Sequence, residues 1–147
     1  LNYLETTKPH ISWSENKQKA FWMNVYNAYT IQIILENYPL KSIRDIYKEG
    51  KTVWKIPFVR VGGKTHTLDD IEHRLLLKEL FDPRIHVGVN CASLSCPKLS
   101  NIAFTEANIE DQLEGLMKAF VNDPSKNKLT ENACEISAIF ILLKTGL

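Results

Sequence analysis

From about residue 15 to about residue 37, apolar side chains fall on almost every side of a helical projection. Phe21, Val25, Ala28 and Leu35 form one stripe, and Trp22, Tyr26, Tyr29 and Ile33 form a second. Two such stripes mark a helix that runs inside a core rather than along its surface. Ser14 can cap its start, and Tyr38-Pro39 ends it, because proline disfavours helical geometry in the residue before it. This is the expected central helix, with Phe21 and Trp22 as core residues.

The pattern then changes period. KSIRDIY, residues 41–47, reads as one or two helical turns. KTVWKIPFVRVGGKTHTL, residues 51–68, offers two β-branched and aromatic runs around Gly62-Gly63, a hairpin signal. Thr67 and Asp70 resemble a capping box that opens a helix over residues 68–80, closed by Asp82-Pro83. IHVGV, residues 85–89, has the length and apolarity of a buried strand. Thr105 caps a further helix over residues 106–122, with Ile109, Leu113, Leu116, Met117 and Phe120 on one face. Leu129 and residues 133–136 read as strand, and Ser137 caps a last helix running to the end of the chain. The expectation is an α+β fold: one mostly helical domain over residues 1–147, around a buried central helix, with a small, largely antiparallel sheet.

Composition narrows the function classes. With 147 residues, 44% hydrophobic and 10% aromatic, the chain can build a real core. Eighteen basic against seventeen acidic residues leave a formal charge of +1, too balanced to favour nucleic acid or an anionic membrane as partner. The longest apolar stretch, residues 20–35, is interrupted by Asn24, Asn27, Thr30 and Gln32 and is too short and polar to span a bilayer. Three cysteines are too few for a disulfide scaffold. The opening LNYLETTKPHISWS lacks an initiator methionine and reads as the tail of an earlier element, so an upstream segment is expected.

Several phrases together resemble one family. KAFWMNVYNAYTI (19–31), YPLKSIRDI (38–46), LDDIEHRLL (68–76), DPRIHVGVNCASLSCPKL (82–99) and AFTEANIEDQL (103–113) look like the domain-of-unknown-function 547 family, in the family's order and spacing. The resemblance implies no particular reaction, since the family has no established biochemical activity. It does imply an exported, periplasmic or cell-envelope location, because bacterial members often follow an export or lipoprotein signal. Family members also continue past the last helix with an aromatic and charged segment where this chain ends in IFILLKTGL, so an altered or shortened C-terminal end is expected.

Candidate chemistry gathers in two places. Asn24 and Asn27 sit in an otherwise apolar helix, where an unpartnered buried amide costs about 1 to 3 kcal/mol. They must therefore bond another element's backbone or line a pocket. In a strand over residues 85–89, Ile85, Val87 and Val89 would share one face and His86, Gly88 and Asn90 the other. Gly88 would leave room above that second face. His86 and Cys91 would stand about 16 Å apart along the extended chain, so His73, carried in by its helix, is the better base for Cys91. On that helix His73 shares a side with Leu77 and Leu80, while Glu72 points about 100° away.

The loop after Val89 exposes backbone donors between small residues, among them Ser93 and Ser95. A thiol with an unperturbed pKa is only about 3% thiolate at pH 7, so a nucleophilic Cys91 needs such help. Zinc would need four ligands, and Cys91 and Cys96 with His73 and His86 lack regular spacing. A Cys91–Cys96 disulfide fits sterically across four intervening residues, but it requires an oxidising compartment and disables the thiol.

Two functions follow. The first is a binding module for a small molecule or peptide, with a polar pocket between the central helix and the Cys91 loop and Asn24, His86, Asn90, Ser93 and Ser95 as ligand contacts. The alternative is a cysteine-centred amide or thioester hydrolase or acyl transferase, with Cys91 as nucleophile, His73 as base and Asn27 or Asn90 orienting the imidazole or the oxyanion. Neither a cofactor nor a metal site is expected, and Asn27, His73 and Cys91 should surround one pocket.

Overall fold

The computed structural model describes residues 1–93, 96–137 and 139–140. After a short helix α1 (Asn2–Thr6) comes α2 (Glu15–Glu36), the element on which the rest is assembled. The Ser14 hydroxyl accepts the Lys17 backbone N–H and caps α2 as expected. Phe21, Trp22, Met23, Val25, Tyr26 and Tyr29 are all buried, so the middle turns, residues 19–30, are enclosed on most sides. The enclosure does not reach the end of the helix: Leu35 is exposed and, with Ile31 and Ala28, lines a shallow groove against Leu4 of α1.

A 3-10 turn (Ile43–Asp45) follows, closed by a capping box from Ser42 to Asp45. Among the described residues the strands form three separate antiparallel ladders instead of one sheet. These are β1 (Tyr47–Lys48) with β2 (Lys51–Thr52), β3 (Val59–Val61) with β4 (Lys64–His66), and β5 (Lys128–Leu129) with β6 (Cys134–Glu135). The second is the expected hairpin, with Gly62 and Gly63 both in the left-handed region that its tight turn requires. A 3-10 turn (Val53–Lys55) lies between β2 and β3 and carries Trp54.

The Thr67–Asp70 capping box forms reciprocally, the Asp70 N–H donating to the Thr67 hydroxyl and the Thr67 N–H to the Asp70 carboxylate. The helix it opens, Asp70–Glu79, is a π-helix. Its wider turns make buried positions recur at four to five residues, here Ile71, Leu75 and Leu76.

Residues 85–89 do not form a strand. Ile85–Gly88 is a helical turn, α3. A turn over residues 82–85 leads into it: the Asp82 carboxylate accepts the Arg84 backbone N–H and the Asp82 carbonyl accepts the Ile85 N–H, with Pro83 inside the turn, where a missing N–H costs nothing. A lone extended run here would also have had no strand to pair with, whereas α3 satisfies its backbone locally through bonds such as Val89 N–H to Ile85 O.

Helix α4 (Ile109–Val121) packs Ile109, Leu113 and Phe120 inward, and the Thr105 hydroxyl accepts the Asn108 N–H at its approach. Leu113 joins the main core, while Phe120 joins a smaller cluster with Val87, Cys96 and Ile139. Residues 138 and 141–147 of the last expected helix lie outside the described residues. At its start the Ser137 hydroxyl accepts the Ile139 N–H. Among the described residues no helix is long and apolar enough to cross a membrane.

Candidate functional site

Asn24 and Asn27 of α2 are both held by backbone. Asn24 donates to the Phe104 carbonyl at 2.7 Å and accepts the Phe104 N–H at 3.0 Å. Asn27 does the same one turn on, donating to the Gly88 carbonyl at 2.9 Å and accepting the Asn90 N–H at 2.8 Å. Each amide thus acts as a one-residue strand edge for an irregular segment that lacks a ladder of its own. Asn90 in turn donates to the Pro97 carbonyl and accepts the Ala92 N–H, closing the loop that holds both cysteines. Within it the Ser93 carbonyl accepts the Cys96 N–H. Cys91 and Cys96 are joined as a disulfide, and Cys134 is a free, exposed thiol.

Beside the bridge lies a cavity of about 270 Å³. Cys91, Cys96, Val89 and Ile139 form its apolar side, and Trp54 closes it from the turn after β2. Asp69, Glu72, His73 and His86 form its polar side. The four polar groups are paired: His86 Nδ1 stands 3.2 Å from Glu72 Oε1, with both side chains largely buried, and His73 Nε2 stands 3.3 Å from Asp69 Oδ1 at the more open rim. Behind Glu72, the Tyr26 hydroxyl of α2 is completely buried, close to Glu72 and Trp54 but within ordinary hydrogen-bond geometry of no described residue. Burial first, and then the neighbouring Glu72 carboxylate, push the Tyr26 phenol well above the usual tyrosine value, so it stays a neutral hydroxyl. Among the described residues, no three His, Cys, Asp or Glu side chains group as metal ligands would.

The structure therefore brings His73, His86 and Cys91 to one cavity and leaves Asn27 behind its wall, holding the chain that leads into Cys91. His86 is close to the bridge because residues 85–88 are coiled at about 1.5 Å per residue, not extended. Nor does Gly88 leave open space: a Cβ there would lie 2.0 Å from Met23 Cε and 2.9 Å from Leu113 Cδ2. Instead of leaning on Leu77 and Leu80, the His73 ring reaches back one turn to Asp69 and stays partly exposed. Glu72 and His73, side by side in sequence, both reach the cavity, as neighbours can when they border a concave wall from either side. Asn24 lies away from the cavity at Phe104, Asn90 and Ser93 shape the loop, and Ser95 lies outside the described residues.

Sequence reasoning missed Trp54, Asp69 and the Glu72–His86 pair. The Asp69–His73 spacing of four was a usable signal. The partnership of Glu72 with His86 joins two elements and had none.

No curated protein and no solved structure matches the chain. A family model described as "Protein of unknown function, DUF547" matches residues 11–121, which take in α2, the π-helix, the cavity's carboxylates and histidines, and both bridged cysteines. With three quarters of its length matched, the chain belongs to the DUF547 family.

Proposed function

We propose that the protein is a binding module whose ligand is a small molecule held in the cavity between the π-helix, α3 and the Cys91 loop. The observation that carries this reading is the convergence of two carboxylate–histidine pairs and an indole on one cavity. Such a mix of apolar wall and a few directed polar groups is the usual composition of a ligand site. The pairs hold each ring in place before any ligand arrives, which lowers the ordering cost of binding. A fragment screen followed by amide and indole NMR shifts tests it. Hits should converge on Trp54, Glu72, His73 and His86. Hits that map only to the groove between α1 and α2, or a cavity silent to every fragment, would refute the reading.

The cysteine-centred hydrolase is a second reading, favoured by one observation: His73 and Cys91 line the same cavity. It requires the Cys91–Cys96 bridge to open first, since a disulfide sulfur is no nucleophile. Asn27 has no part in it, both ends of its amide being taken by backbone. In the mildly reduced protein, iodoacetamide should then alkylate Cys91 at pH 6, with the rate lost in His73→Ala. Labelling that begins only at alkaline pH and is indifferent to His73 would leave binding as the sole reading.

A further inference from the structure

We propose that the cavity selects a compact organic cation, a primary ammonium on a short apolar stem. The inference rests on the binding reading above and names its ligand class. The fixed charges on the described wall are those of Asp69 and Glu72, and neither Lys nor Arg lines it. Each histidine contact engages one oxygen of its carboxylate, Oδ1 of Asp69 and Oε1 of Glu72, so an entering donor can take the other.

The Tyr26 hydroxyl lies behind Glu72, outside the cavity lining, and as a buried neutral hydroxyl it adds no positive charge to the site. An ammonium carries three donors and no acceptor, which suits the open oxygens of the two carboxylates. The Trp54 ring adds an aromatic wall that attracts cations and repels anions. Opposite it, Val89, Ile139 and the disulfide offer an apolar surface for the stem. At about 270 Å³ the space lies at the small end of ligand sites, which sets the compactness. A carboxylate of the same size would face two like charges and find few donors.

The test titrates the oxidised full chain with three probes of one shape, n-butylammonium, n-butanol and butyrate, following the Trp54 indole and the Glu72, His73 and His86 amides by NMR. Butylammonium should bind at least about tenfold more tightly than butanol, with butyrate weakest. Asp69→Asn and Glu72→Gln should each weaken it by about tenfold. Asp69 is half exposed, so its variant keeps the test informative even if the more buried Glu72→Gln fails to fold. Butanol or butyrate binding as well as the ammonium would overturn the charge class and leave the binding reading standing. So would fragment hits in a cavity that ignores butylammonium. Ammonium binding unchanged in both variants would likewise overturn it. A cavity silent to these probes and to the fragment screen would remove both proposals together.

Discussion

Asn27 holds two backbone groups of the chain that leads into Cys91. Replacing it with alanine strands the Gly88 carbonyl and the Asn90 N–H in a half-buried setting. The expected loss is about 2 to 3 kcal/mol, read as a lower urea midpoint at unchanged slope. That Asn24 and Asn27 must be satisfied was legible in the sequence, because a polar amide in an apolar helix has few other fates. Their partners were not, lying 61 to 80 residues away and fixed only when the chain has folded. Gly88 shows the opposite case. Its smallness was read as vacancy, whereas it is the complement of the Met23 methyl group, and no local pattern distinguishes the two.

Among the elements, α2 was legible because its signal is long and self-consistent: cap, all-round apolar turns and a proline stop. Trp22→Ala should cost about 3 to 5 kcal/mol, checked by its thermal or urea midpoint, since the ring is enclosed between Phe21 and His66. Helix α3 was misread because IHVGV, largely apolar and partly β-branched, suits a strand until the turn at Asp82-Pro83 is seen to lead into a helix. Burial alone would raise the Asp82 carboxyl, but hydrogen bonds from the Arg84 side chain and backbone, and from Lys19, outweigh it and hold it at about 2 against an ordinary 3.8. Because its folded value is depressed, Asp82 contributes stability that is full above its unfolded value and lost as pH falls from about 5 through 2. The shift corresponds to about 2 kcal/mol. Asp82→Asn should therefore be less stable than the parent at pH 7, and urea midpoints of the two should converge towards pH 2.

For the whole molecule, the α+β class and the antiparallel pairing were legible from the chain. The distribution of strands into three small ladders was not, since it depends on which hairpins find neighbours. The state of the cysteines belongs to this scale too, because Cys96 packs with Val87, Phe120 and Ile139 in the smaller core. Without reductant the unfolded chain should show one titratable thiol, Cys134, and after reduction three. Reduction should lower stability by about 2 kcal/mol, the loop-closure contribution of so short a ring. The asparagine clasps, finally, have a consequence in time. Asn90 and Phe104 lie in irregular chain, where amide hydrogens ordinarily exchange with solvent through small local fluctuations. Here each N–H is bonded to a side chain rooted in the central helix. Their deuterium uptake should follow the slow openings of α2 itself, while that of exposed Ala103, one residue from Phe104, runs fast. Asn27→Ala should release Asn90 alone, leaving Phe104 on the clock of the helix.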